Sequence, residues 1–121
     1  MPEHKRSAHE IALMQLEALK NKGLLQQSKI KEYYSEVSFI IRHYLENRFL
    51  LKAPEMTTEE FLTFARDYGQ LQSVQKNSLK EFLSACDMVK FAKYSPSDHE
   101  IEEIFVCAKK FVEQTKETAL T

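Results

Sequence analysis

Glycine and proline are scarce in this sequence, which has two glycines and three prolines among 121 residues. The turns that connect strands in sheets and hairpins draw heavily on these two residue types. Their scarcity therefore argues against a fold rich in strands. The composition favours helices instead.

Cysteine is also rare, because Cys86 and Cys107 are the only two and lie far apart. A small secreted domain held together by disulfides is therefore not expected, and a reducing compartment fits better. A catalytic thiolate needs a base or a helix N-terminus that lowers its pKa. Both cysteines instead fall in the middle of helical apolar patterns, so we interpret them as small buried apolar side chains.

An excess of charge of one sign is missing too. The chain has 17 basic and 18 acidic residues and a formal net charge of -1. Such a balance produces no field that would concentrate nucleic acid or anionic lipid. We therefore expect no nucleic-acid partner.

Long apolar runs are absent. The uncharged stretch Val37–Ile41 is far shorter than the roughly 18 apolar residues that suggest a membrane span. The segment Met1–Arg6 has no apolar signal region, which argues against secretion of the chain as written. These observations leave open that the chain is a soluble piece of a longer membrane protein.

Helix caps and hydrophobic periodicity predict five helices in one domain, 1–121, because this length suffices for one core and is short for two. Ser7 and Glu10 have the spacing of a capping box at the start of the first helix, which should end near Gly23. Thr57 and Glu60 have the same spacing at the start of the third. A short third helix should follow and stop at Gly69.

The second predicted helix has the clearest apolar stripe. Its members recur at spacings of three, four and seven residues: Ile30, Tyr33, Tyr34, Val37, Ile41, Tyr44 and Leu45. Phe39 lies on another side, so the helix is either contacted on two sides or displays an aromatic side chain to a partner. We favour a central position for this helix in the bundle.

The last two predicted helices complete an all-α, compact single-domain bundle of about five helices. The stripe of the fourth, which includes Cys86 and Val89, extends onto Lys90, whose ammonium group must snorkel or find an anion. The segment Ser95–Asp98 supplies the fifth helix with a cap and a proline at the first helical position. We expect this helix to fray after Thr115.

The residues that could carry chemistry have simpler structural interpretations. No histidine pairs with another histidine or a cysteine at the spacing of a metal site on one helix. Asp98, His99 and Glu100 fall in a first helical turn, where acidic residues favour the helix dipole. We therefore expect no catalytic residue, no metal and no cofactor.

Two segments, Arg42–Phe49 and Asp87–Ala92, mix charge into apolar helical patterns where a purely structural helix needs none. Their charged side chains could form a partly buried ion network. They could equally form a surface patch that binds a partner. The candidate residues of this network or patch are Arg42, Glu46, Arg48, Asp87, Lys90 and Phe91.

A family resemblance rests on the same segments and on three others. In chain order the motifs are Ala8–Leu13, Tyr34–Ser38, Arg42–Phe49, Met56–Phe61 and Asp87–Ala92, the last followed by Pro96. In this order they resemble the cytosolic helical domain of BatD-type proteins, which also occurs in a related bacterial membrane-anchored family of unknown function. The likeness covers about residues 8–112, which we take as the core of the domain.

The resemblance implies a function without an enzymatic activity. In that family the helical domain lies on the cytoplasmic side of the bacterial inner membrane, next to a membrane anchor. Its operons also encode MoxR-type AAA+ ATPases and von Willebrand factor A domain proteins, and they are linked to stress or oxygen tolerance. The resemblance thus implies an adaptor module, excised from its anchor, that docks one of these two proteins.

A second hypothesis comes from the residues themselves. Tyr44, His43 and Glu46 are the polar residues that could converge in an interhelical pocket, as in a small ligand-binding or hydrolytic domain. A wide pocket with these three side chains would favour that hypothesis. A filled core with an exposed Phe39 or Phe91 would favour the interaction module.

Overall fold

The computed structural model describes residues 6–50, 56–66, 69 and 71–116, and it gives no side-chain description for 64–66. In these ranges the chain forms five helices and no strand: α1 (Ala8–Lys20), α2 (Ile30–Phe49), α3 (Thr58–Arg66), α4 (Ser73–Phe91) and α5 (Asp98–Thr115). The predicted all-α fold is confirmed. Within the same ranges, no helix combines the length and the apolar character that crossing a bilayer requires.

The predicted capping boxes are present at the first and third helices. The Ser7 hydroxyl accepts from the backbone N–H of Glu10, whose carboxylate accepts in return from the Ser7 N–H. Thr57 and Glu60 make the same reciprocal pair at 3.1 Å in both directions. These bonds satisfy amide groups that the start of a helix leaves without partners, and they fix where α1 and α3 begin.

Two of the predicted helix boundaries need correction. The N-cap of α5 is Ser97, so Pro96 lies before the cap and not at the first helical position. Proline is still suited to this place, because no backbone N–H is needed there. α1 ends at Lys20 with Asn21 as its cap, slightly earlier than Gly23. α5 ends at Thr115, as expected.

α1, α2, α4 and α5 pack around the core, and α3 packs mainly on α4. α2 contacts α1, α4 and α5, while α1 and α4 each also contact α5. The predicted central position of α2 is therefore confirmed, and its stripe residues Tyr34, Val37 and Leu45 are almost completely buried. α3 rests on α4. The third helix also contributes to the core, because its Phe61 side chain is completely buried among the core residues.

The residue that follows α2 as its C-cap offers a test of backbone strain. Leu50 has a left-handed backbone with φ of 60° and ψ of 36°, and its side chain is exposed. Because a Cβ atom is unfavourable in this region, Leu50→Gly is expected to raise the free energy of unfolding by about 0.5–1 kcal/mol. Urea unfolding should reveal this gain. Leu50→Ala keeps the Cβ atom and serves as the control, and equal stability of the two variants would contradict the strain.

Candidate functional site

An open groove with a volume of about 630 Å³ lies where α2, the start of α3 and the end of α4 meet. We call it the α2–α4 groove. α2 contributes Phe39 and Arg42, Met56 comes from the segment just before α3, and Thr58 is the first residue of α3. The last two turns of α4 contribute Asp87, Lys90 and Phe91. Two segments that are distant in the sequence thus form one surface.

Only four of the six predicted site residues lie together in the structure. Arg42, Asp87, Lys90 and Phe91 line the α2–α4 groove. Arg48 lies elsewhere, since its Nε atom donates to the backbone carbonyl of Thr115 at 2.9 Å and its guanidinium group lies 4.6 Å from the Phe49 ring centroid. Glu46 is half-buried on α2 and does not line the groove. The set is therefore not a single cluster.

Arg42 forms the inner wall of the groove and joins two helices. Only 9% of this residue is exposed. Its Nη1 atom donates to the carbonyl oxygen of Met56, and its Nη2 atom donates to the Thr58 hydroxyl at 2.8 Å. The fixed fork of a guanidinium group suits such paired contacts. Arg42 thereby holds the start of α3 against α2.

Two aromatic side chains stand at the mouth of the groove. Phe91 is 74% exposed and Phe39 is 53% exposed. The Lys90 Nζ atom lies 5.0 Å from the centroid of the Phe91 ring, so the lysine meets an aromatic face. Phe39 stacks on the ring of His43 at a centroid distance of 5.7 Å and an angle of 14°. These two rings are presented to solvent.

The charges of the groove nearly cancel. Arg42 and Lys90 are cationic, and Asp87 and Glu59 are anionic. Burial raises the pKa of the neighbouring Cys86 thiol to about 12, while Lys90 lowers it, Asp87 raises it and Arg42 lowers it to smaller extents. Cations and an anion of the groove thus act on the same buried atom. The groove has no strong preference for one sign of charge.

The two cysteines differ in their surroundings. Cys86 is buried, as predicted, but Cys107 is exposed, so the prediction of a buried thiol is wrong for Cys107. Cys107 lies at the edge of the apolar stripe of α5 and faces a second groove between α4 and α5. Its pKa is raised from the ordinary value by partial burial and then by the nearby Glu103 carboxylate. Neither thiol is activated.

The three residues of the pocket hypothesis do not converge. Tyr44 is buried, and its hydroxyl lies 2.8 Å from the Thr115 hydroxyl and 3.4 Å from the Val112 carbonyl oxygen. His43 stacks on Phe39. Neither the α2–α4 groove nor the groove that Cys107 faces is lined by Tyr44, His43 or Glu46. Tyr44 therefore contributes to the contact between α2 and the end of α5.

Sequence reasoning did not identify the contribution of α3 to the site. Met56, Thr58 and Glu59 line the α2–α4 groove, whereas the sequence indicated here only the capping box of Thr57 and Glu60 and one motif of the family resemblance. The off-stripe position of Phe39 was a usable signal, because it marked the side of α2 that faces the groove. No protein-family model, curated protein or solved structure matches this chain. The resemblance to the BatD-type helical domain stays a prediction.

Proposed function

We propose that this domain is a non-enzymatic interaction module that binds a protein partner through the α2–α4 groove. The observation that carries the proposal is that two exposed aromatic side chains, Phe39 and Phe91, line the same groove as a buried arginine. Aromatic residues, methionine and arginine are enriched at the energetic centres of protein interfaces. Met56 completes this combination in the groove.

We expect a helix of the partner to place apolar side chains against the Phe39 and Phe91 rings. Helices bind grooves in this way through residues spaced three and four apart. Asp87 and Lys90 would fix the orientation of the helix by charge complementarity, which affects specificity more than affinity. Because Arg42 already holds α3 in place, little additional ordering of the groove is needed on binding.

The finer proposal rests on the family resemblance. The partner is a MoxR-type AAA+ ATPase or a von Willebrand factor A domain protein, and the module couples it to a membrane-anchored bacterial protein. The module then lies on the cytoplasmic side of the inner membrane. The nearly balanced charge of the groove supports a protein partner over nucleic acid or anionic lipid.

The proposal is tested by measuring the affinity of the full chain for each of the two proteins in purified form. The double variant Phe39→Ser/Phe91→Ser is expected to weaken binding about 100-fold, because two exposed aromatic anchors are removed together. Its melting temperature should change little, since both side chains are largely exposed.

Val74→Ser is the matched control, because Val74 is an exposed apolar residue of α4 that lines none of the described grooves. This variant should bind like the parent chain. Absence of binding to both proteins would refute the finer proposal. Equal affinity of the double variant and the control would refute the use of the α2–α4 groove.

A further inference from the structure

A second groove, with a volume of about 350 Å³, runs along the seam between α4 and α5. We call it the α4–α5 groove. Its floor contains the buried side chains of Phe82, Val89 and Ile104. Met88 and Tyr94 also line it and are 50% and 43% exposed. The groove therefore offers an apolar surface that solvent reaches.

The charged side chains of this groove have one sign. Glu81 lies on the α4 side, and Glu100 and Glu103 lie on the α5 side. No lysine, arginine or histidine of the described residues lines it. This differs from the α2–α4 groove, where cations and anions cancel, and from the whole chain, whose net charge is only -1. Acidic residues thus stand on both sides of an apolar floor.

The surroundings leave this negative charge available. Glu100 accepts from the Ser97 N–H at 2.9 Å and from the Tyr94 hydroxyl at 2.8 Å, and these bonds lower its pKa. Glu103 pairs with His99 at 3.1 Å, but both side chains are mostly exposed. Such an exposed pair contributes little stability and is easily exchanged for a cation of a partner. Lys110 affects the Cys107 thiol but does not line the groove.

The length of the groove sets the size of its occupant. On α4 the lining residues run from Ser78 to Val89 on one face of the helix. At 1.5 Å per residue this corresponds to about 16 Å, or about three helical turns. A helical segment of about 11 residues has the same length. The groove is therefore long enough for a short helix to lie along it.

We propose that the α4–α5 groove binds a short basic amphipathic helix of a partner protein. The apolar face of that helix packs on Met88, Tyr94 and the floor between them, and lysine or arginine side chains on its flanks reach Glu81 and Glu103. Charge complementarity carries this choice, because the same carboxylates repel nucleic acid and anionic lipid. This groove shares no lining residue with the α2–α4 groove. Each of the two binding proposals can therefore hold or fail independently of the other.

The test uses the full chain and a fluorescein-labelled peptide of leucine and lysine, 14 residues long, patterned so that the leucines form one helical face. Fluorescence anisotropy should show saturable binding of one peptide per chain that weakens as salt is added. A peptide with glutamate in place of lysine should not bind. A peptide of the same composition in scrambled order should bind about tenfold more weakly, because its apolar face is lost.

Variants locate the binding on the protein. Glu81→Gln/Glu103→Gln should weaken binding of the leucine–lysine peptide about tenfold, since one carboxylate is lost from each side of the groove. Glu17→Gln/Glu113→Gln removes the same charge from exposed positions outside the described grooves and should have no comparable effect. Ala85→Arg should abolish binding, because its guanidinium group would occupy the groove itself.

Three results would overturn the proposal. They are the absence of saturable binding, equal binding of the patterned and scrambled peptides, and equal weakening by the two glutamine double variants. The last two would mean that the peptide responds to net charge and not to this groove. Because the substituted side chains are exposed, the variants should melt at nearly the same temperature as the parent chain. Melting curves check this and so test whether unfolding explains any loss of peptide binding.

Discussion

Replacement of Arg42 by alanine is expected to lower the free energy of unfolding by about 2–4 kcal/mol. The guanidinium group donates to the Met56 carbonyl oxygen and to the Thr58 hydroxyl from a position that is only 9% exposed. Alanine removes both donors and leaves the start of α3 without its anchor on α2. Urea unfolding followed by circular dichroism measures the change.

Two variants separate the hydrogen bonds of Arg42 from its charge. Arg42→Lys keeps the positive charge but loses the fork of donors, so an intermediate loss of stability is expected. Lys31→Ala removes a cation from an exposed position of α2 and should change stability by less than about 0.5 kcal/mol. If Arg42→Ala were as stable as Lys31→Ala, the anchoring role of Arg42 would be wrong.

The helices could be predicted from the sequence because their signals are local. A capping box needs two residues three positions apart, and the apolar stripe of α2 repeats within single turns. The structure contains the predicted caps at Ser7 and Thr57, and it buries the predicted apolar face of α2. The box that Gln72 forms with Gln75 at the start of α4 was not predicted, because glutamine is not a usual capping residue.

The candidate site was only partly predictable, because it depends on which helices pack together. The sequence marked Arg42 and the segment Asp87–Ala92 as unusual, but it could not place them on one groove. Arg48 looked equivalent to Arg42, yet the end of α5 gives it a different contact. The burial of Cys107 was predicted wrongly for the same reason. Periodicity gives the centre of an apolar stripe, while the packing of the neighbouring helix decides how wide its buried part is.

The end of α4 is shared by the two proposed binding surfaces. Lys90 and Phe91 face the α2–α4 groove, whereas Met88 and Val89 face the α4–α5 groove. Because consecutive residues of a helix point in different directions, one helical turn supplies both surfaces. The two proposed surfaces therefore lie on adjacent faces of α4 and share no lining residue.

The two thiols are expected to differ in alkylation rate by at least about 1,000-fold at neutral pH, with Cys107 the faster. Cys86 is completely buried and its pKa is raised to about 12, so it reacts only when the chain opens. Cys107 is exposed, although its pKa is also raised. Timed reaction with iodoacetamide followed by mass spectrometry of the peptides measures both rates.

The difference in alkylation rate between Cys86 and Cys107 should become smaller at high pH. Burial raises the pKa of Cys86 from 9.0 to about 12, so the folded state favours the neutral thiol. The stability linked to this group is therefore fully present below pH 9 and is lost as the pH rises towards 12. The ratio of the alkylation rate of Cys107 to that of Cys86 should therefore fall as the pH rises from 9 towards 12. Denaturant should make Cys86 reactive at any of these pH values, whereas equal rates for the two thiols in the native chain at neutral pH would contradict the buried position of Cys86.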